Sequence, residues 1–328
     1  MPWSLIGAEN VTSPLSAMIR GRRLPHALLL TGPRGCGKNT LARDLAAALN
    51  CASPLPDGSP CGECLSCNKI IKDIHPDLKT LIPSGRSRQI KMEDIQILRS
   101  EMGFRPYEGR MKIFIIREAN RLTNDSGNAL LKTLEEPPPD SVMVLTSASE
   151  AEVMPTILSR CLRLRIPPLS QETILSALAE KRGLTGPDAR LLAALSAGAL
   201  GPALELAPEV VRSGWDALNG ILGASSAPAR LEKAWQWVKS LSGDEDAVPQ
   251  ALNLMRLWWR ETMRLAAAGP AALEGPPPSD AQTIWAARLT PASIETVNRA
   301  QARLEDSLSR FVKLELAFEN YWLKVLSA

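Results

Sequence analysis

Between positions 32 and 40 the chain reads Gly-Pro-Arg-Gly-Cys-Gly-Lys-Asn-Thr. Gly32, then four residues, then Gly37-Lys38 is the spacing of a phosphate-binding loop. Glycines let the backbone turn tightly and aim successive N–H groups at phosphate oxygens. Lys38 adds a point charge, and a helix starting there adds its dipole. Gly32, Gly35, Gly37, Lys38, Asn39 and Thr40 are therefore the candidate nucleotide-binding residues. One position departs from the pattern. The residue after the lysine should carry a hydroxyl for Mg²⁺. Here it is Asn39, whose amide oxygen is a poorer ligand.

A second departure lies downstream. An apolar strand such as 111–116, placed after a phosphate loop, normally ends in Asp-Glu. The Asp steadies the Mg²⁺ shell, and the Glu orients an attacking water. Arg117 stands in the place of the Asp, and Glu118 remains. A fixed positive charge repels Mg²⁺, so both departures weaken the handling of one ion.

Cys51, Cys61, Cys64 and Cys67 are the candidate metal ligands. Four thiolates close a tetrahedral Zn²⁺ site and leave no open position, which implies a structural staple rather than a catalytic centre. Six cysteines, four of them between positions 51 and 67, also fit a reducing compartment.

These residues need elements to hold them. Leu28, Leu29 and Leu30 form an apolar strand before the loop. Leu41, Leu45 and Leu49 recur at helical spacing after it, to about Asn50. Ile70, Ile71 and Ile74 predict a helix from about Asn68 that stops before His75-Pro76. Residues 77–82 read as a short strand and 84–88 as a basic loop. Met92, Ile95, Leu98 and Met102 form a helical stripe ending near Gly103. A helix is predicted over 124–135, a buried strand over 142–146 and a one-faced strand over 162–166. His26, just before the first strand, is expected to pack or cap rather than catalyse. Pro167-Pro168 marks a domain boundary.

Beyond it the chain is helical. Breaks are expected at 183–187, 198–202 and 269–278, and one last helix over 291–328. That helix carries Leu304, Leu308, Phe311, Leu314 and Phe318 on one stripe. Seven of the eight tryptophans lie after position 208, where core packing explains them. A length of 328 residues implies two or three domains, and 45% apolar residues a globular chain. A net charge of +3 gives no overall electrostatic case for nucleic-acid binding. No window approaches 18 apolar residues and no leader pattern opens the chain, so a soluble cytoplasmic protein is expected, with no membrane partner.

The phosphate loop, the four cysteines, Asn128-Ala-Leu-Leu-Lys-Thr-Leu-Glu-Glu-Pro-Pro138 and Thr156-Ile-Leu-Ser-Arg-Cys161 together resemble the bacterial clamp-loader subunits of DNA polymerase III, which are AAA+ proteins. The resemblance is dense over 24–166 and continues afterwards as helical character only. It implies α/β followed by all-α: an AAA+ parallel sheet with a zinc module at 51–67 in residues 1–167, a helical lid at 168–207, and a helical oligomerisation collar at 208–328. The family has ATP-hydrolysing gamma/tau subunits and a delta-prime type. Asn39, Arg117 and Gly201, the last standing where a motor would place a nucleotide-sensing arginine, resemble delta-prime. That type implies no independent activity. Its place is in a five-subunit ring with gamma/tau and delta, which acts on a sliding clamp and primer-template DNA. Arg160 of the Ser-Arg-Cys segment is then an arginine finger acting in trans on a neighbour's ATP. Whether the loop itself holds ATP or ADP stays open.

Two other readings compete. A gamma/tau-type motor would have Asn39 and Glu118 manage Mg²⁺ without the Asp. A zinc-stapled nucleic-acid-binding protein would use Arg86, Arg88 and Lys91 on phosphates.

Overall fold

The structure is a computed structural model and describes residues 3–85, 87–242, 247–310 and 312–326. Arg86 of the basic loop and Phe311 of the terminal stripe fall outside these residues. The chain divides into two units, 1–169 and 170–328.

The first unit runs α1 (Glu9–Arg20), β1 (Ala27–Thr31), α2 (Lys38–Asn50), α3 (Leu65–Ile71), β2 (Leu78–Leu81), α4 (Met92–Met102), β3 (Lys112–Ile116), α5 (Asn124–Glu135), β4 (Ser141–Ser147), α6 (Pro155–Leu158) and β5 (Leu162–Arg165). The five strands form one sheet in the order β2-β3-β4-β1-β5, and every pairing is parallel. Parallel strands buried on both faces read as continuous apolar runs, as β1, β3 and β4 do.

Alternation sorts those runs into two cores. Leu28, Leu30, Ile113, Ile115, Val142 and Val144 face Leu41 and Leu45 of α2 and Leu15 of α1. Ala27, Leu29, Phe114, Ile116, Met143 and Leu145 face Ile95 and Leu98 of α4 and Leu130 and Leu134 of α5. The result is a three-layer α/β/α unit. Strand order reverses beside β1, so the crevice at its carboxyl end is where such a sheet receives ligands.

The helix expected from Asn68 instead begins at Leu65. Cys64 caps it, its sulfur accepting from the Cys67 N–H, so a cysteine cap and not apolar periodicity sets the start. Ile70 is buried, but Ile71 is exposed and Ile74 lies past the helix end, also exposed. His26 caps as expected: its Nε2 lies 2.9 Å from the Leu134 carbonyl at the end of α5.

The second unit is helical: α7 (Gln171–Arg182), α8 (Gly186–Ser196), α9 (Leu200–Glu205), α10 (Pro208–Leu222), α11 (Ala227–Ser240), α12 (Ala247–Ala268), α13 (Asp280–Ala286), α14 (Pro291–Ser309) and α15 (Leu314–Leu326). Segments 168–207 and 208–328 meet inside it. Arg260 Nη2 on α12 donates to the Ala194 carbonyl on α8 at 2.9 Å. The breaks expected at 183–187 and 198–202 fall between α7, α8 and α9, with Pro187 and Pro202 in the first turns that follow, where a missing N–H has no partner to lose.

The single terminal helix is in fact two. Its stripe is interrupted between Ser309 and Leu314, where Arg310 leaves helical geometry. Leu304 and Phe318 are buried, but on separate helices that pack on one another. Tryptophans build this core. Trp258 and Trp259 meet edge to face at 4.9 Å, and Trp259 Nε1 donates to the buried Tyr321 hydroxyl at 2.9 Å. Among the described residues, no helix is long and apolar enough to cross a membrane.

Candidate functional site

The loop between β1 and α2 has the backbone that its glycines allow. Gly32 sits at φ 149° and Gly37 at φ 93°. A Cβ on Gly32 would lie 2.6 Å from the Ile166 carbonyl oxygen. The turn therefore needs glycine both for conformation and for room. Lys38 curls back over the loop, its Nζ donating to the carbonyls of Gly32 at 2.6 Å and Pro33 at 2.7 Å. Burial pulls the Lys38 ammonium below the usual lysine range, against the attraction of Cys36 and Glu118. Thr40 stands exposed in the first turn of α2.

The two departures from the motif meet. With its amide oxygen toward the guanidinium, Asn39 accepts from both Nε and Nη2 of Arg117, each at 3.0 Å. The sequence assigns both departures to the handling of one ion, but not to a contact with each other. Their being partners is visible only once β3 is placed two strands from β1.

Glu118 follows directly after Arg117. It takes a left-handed backbone at φ 52°, and its N–H donates to Thr146 Oγ1 on β4 at 3.2 Å. Its carboxylate faces Arg88 Nη2 at 3.6 Å and Arg121 Nε at 3.9 Å, both longer than a hydrogen bond.

Asp44 went unnoticed in the sequence. It is buried on α2 between Leu41 and Leu45, and it accepts from the Ser4 N–H at 2.7 Å and the Ser4 hydroxyl at 3.0 Å. This straps the segment before α1 across the start of α2, with Leu5 against Gly37. An acid on the apolar face of a helix was the available signal.

Arg160 lies at the end of α6, away from the loop's own residues in sequence but tied to the other family motif. Its Nε and Nη2 donate to Glu135 Oε1 at 3.0 and 2.5 Å, and its Nη1 to the Thr156 carbonyl at 2.9 Å. The next residue, Cys161, packs into the core beneath α5, and burial pushes its thiol up to about 11. One residue anchors and its neighbour stays reachable, with about a third of the Arg160 side chain exposed, 34%.

The four cysteines converge as expected. Cys51 ends α2, Cys61 lies in the loop, and Cys64 and Cys67 open α3. Their sulfurs all lie within 4.8 Å of one another. A tetrahedron with metal–sulfur bonds of about 2.3 Å has edges of about 3.8 Å, so a slight contraction seats one ion. Backbone N–H groups already point at the sulfurs: Cys61 N to Cys51 Sγ at 3.4 Å, Cys64 N to Cys61 Sγ at 3.3 Å, and Cys67 N to Cys64 Sγ at 3.4 Å. Such donors favour thiolate, and those of Glu63 and Cys64 bring Cys61 down to about 6. Burial pushes the Cys51 and Cys67 thiols up. The cluster can bind a metal ion, and its all-sulfur donor set suits Zn²⁺.

The sequence resembles known proteins. Over 202 residues, 60% of this chain, the sequence is 35% identical to DNA polymerase III subunit gamma/tau of Mycobacterium bovis. Over 215 residues, 64% of the chain, it is 36% identical to DNA polymerase III subunit tau of Escherichia coli. The chain spans about a third of the length of these curated relatives, 34% and 33%. A solved DNA polymerase III gamma-subunit-related protein of Thermotoga maritima aligns over 94% of this chain and 97% of its own, at 17% identity and a TM-score of 0.47. Residues 7–170, half of the sequence, match the family described as "DNA polymerase III, delta subunit", and they hold the whole sheet, the loop, the cysteine cluster and Arg160, so the chain belongs to that family.

Proposed function

We propose that this chain is a delta-prime-like subunit of the clamp loader of replicative DNA polymerase III. In that reading it is the stator of a hetero-pentameric ring with gamma/tau motor subunits and delta. The ring loads the sliding clamp onto primed DNA. The chain itself turns over little or no ATP and supplies Arg160 to the ATP site of an adjacent motor. There the guanidinium would stabilise charge on the transferring phosphoryl group.

The observation that carries this reading is the Asn39–Arg117 contact. It closes the metal seat of the chain's own loop, while the Ser159-Arg160-Cys161 segment remains intact. Zn²⁺ on Cys51, Cys61, Cys64 and Cys67 would brace α3 against the end of α2, with no open position for chemistry. Residues 1–167, 168–207 and 208–328 would act as ATPase-like domain, lid and collar, in a cytoplasmic assembly.

The test is reconstitution. Arg160→Ala in a loader assembled with motor and delta subunits should cut DNA-stimulated ATP hydrolysis while the assembly survives. Unchanged hydrolysis would remove the role in trans. The second reading is an ATP-hydrolysing gamma/tau-type motor, which the 35% identity to gamma/tau subunits favours. Sustained hydrolysis by the isolated chain, abolished by Lys38→Ala, would establish it instead.

A further inference from the structure

A phosphate loop ordinarily seats a divalent cation between a hydroxyl at the helix start and an acid ending a nearby strand. The residues present here do not fit that ion. The oxygen that Asn39 offers is taken by Nε and Nη2 of Arg117. An incoming Mg²⁺ would have to part them and then sit beside a permanent like charge, which is unfavourable at such separations.

Seen from the phosphate side, the same contact builds something. Asn39 is fixed in the first turn of α2. Arg117 directly follows β3, and its backbone N–H donates to the Leu81 carbonyl at 2.9 Å. The guanidinium is thus held at its root and along one edge. Among the described residues no carboxylate lies within ion-pair distance of Arg117 or Lys38, and Glu118 attracts Lys38 only from farther off. Glu118 faces Arg88 and Arg121 instead. Lys38 rests on two loop carbonyls, neutral acceptors that an anionic phosphate oxygen outcompetes. Two cations and the amino end of a 13-residue helix therefore meet at one loop.

We infer that this loop takes the phosphates of a nucleoside diphosphate or triphosphate as the metal-free anion, with Arg117 supplying the positive charge that Mg²⁺ supplies elsewhere. The inference rests on the non-hydrolysing reading above and deepens it. A nucleotide so held is structural, because no metal is present to organise an attacking water.

The test is equilibrium binding of a fluorescent ADP analogue to the full chain, purified with its bound metal. It is run in magnesium-free buffer and again with magnesium in excess. Without magnesium the chain binds, and Lys38→Ala abolishes the signal. Excess magnesium weakens binding about tenfold, because the ligand then brings a cation toward Arg117. Restoring the ordinary seat with Asn39→Thr and Arg117→Asp together reverses the sign, so that magnesium strengthens binding. Equal or tighter binding with magnesium by the unaltered chain overturns the inference, and so does no binding without it. The decisive comparison uses the unaltered chain and does not depend on any variant folding. It also reads a diphosphate at equilibrium, so failure here leaves the role of Arg160 standing, and failure of that role leaves this result standing.

Discussion

Arg160 donates from two nitrogens to a single oxygen of Glu135, at 3.0 Å from Nε and 2.5 Å from Nη2. The two family motifs, Leu-Leu-Lys-Thr-Leu-Glu-Glu and Ser-Arg-Cys, are therefore in physical contact. The pair is open to solvent, so its worth to folding is small, about 0–1 kcal/mol. Its worth to the role proposed for Arg160 in trans is geometric. Thermal unfolding of Glu135→Gln should match the parent. In a reconstituted loader the same change should lower kcat several-fold with KM little moved, because the guanidinium samples more rotamers. Combined with Arg160→Ala it should add nothing, and an additive double variant would separate the two residues.

The cysteine cluster makes a sharper stability prediction. Structural zinc sites are coupled to folding, since ligands converge only in the folded chain. One metal per chain is expected by elemental analysis. Chelation should loosen residues 51–74 and raise the reactivity of all four thiols, Cys61 first, because its pKa is lowest, about 6. Cys51→Ser should lose the metal. Labelling of all four thiols in metal-replete protein would rule out the site.

Asp77 gives a pH dependence with a definite sign. It is buried, and burial alone would raise its pKa. Three backbone donors, Tyr107, Glu108 and Gly109 at 2.6, 2.9 and 2.7 Å, more than offset that and hold it below the usual carboxylate range. A depressed folded pKa stabilises above the unfolded value of about 3.9 and loses that stabilisation as pH falls through the folded value. The parent should therefore lose stability below about pH 4, and Asp77→Asn should flatten that part of the profile. At neutral pH Asp77→Ala should cost on the order of 3 kcal/mol by leaving three N–H groups unpaired. An unchanged acid limb in Asp77→Asn would assign the acid sensitivity elsewhere.

What the sequence made legible follows from period and spacing. β1, β3, β4 and α5 stood within a residue or two of their observed bounds, because each is a long apolar run or an evenly striped helix bounded by turn residues. The cysteine cluster was legible because its ligands are close in sequence. The Asn39–Arg117 contact was not, since it joins residues 78 positions apart across two strands, although the chemistry of each was read. Asp77 leaves no residue-type signal, because its partners are backbone N–H groups on a distant segment, whereas Asp44 is marked as an acid on an apolar helix face but its partner Ser4 lies 40 positions away. The terminal helix was drawn too long because a 3.6-residue stripe can continue in register across a short break.

Glu261 in the helical unit is the buried charge to remove. It is 1% exposed on α12. Its Oε2 accepts from the N–H groups of Glu274 and Gly275, both at 2.8 Å, and Arg264 Nη1 donates to its Oε1 at 3.0 Å. Arg264 also reaches Glu274 at 2.7 Å, so one carboxylate and one guanidinium pin the Pro/Gly-rich segment after α12. Removing one member of a buried ionic network strands its partners and costs about 3–5 kcal/mol. Glu261→Ala should lower the unfolding free energy of the second unit by that margin and open residues 270–278 to protease. Glu261→Gln keeps an acceptor oxygen and should recover part of the loss. If both variants unfold with the parent, the segment is held by the Trp258 and Trp259 core and not by Glu261.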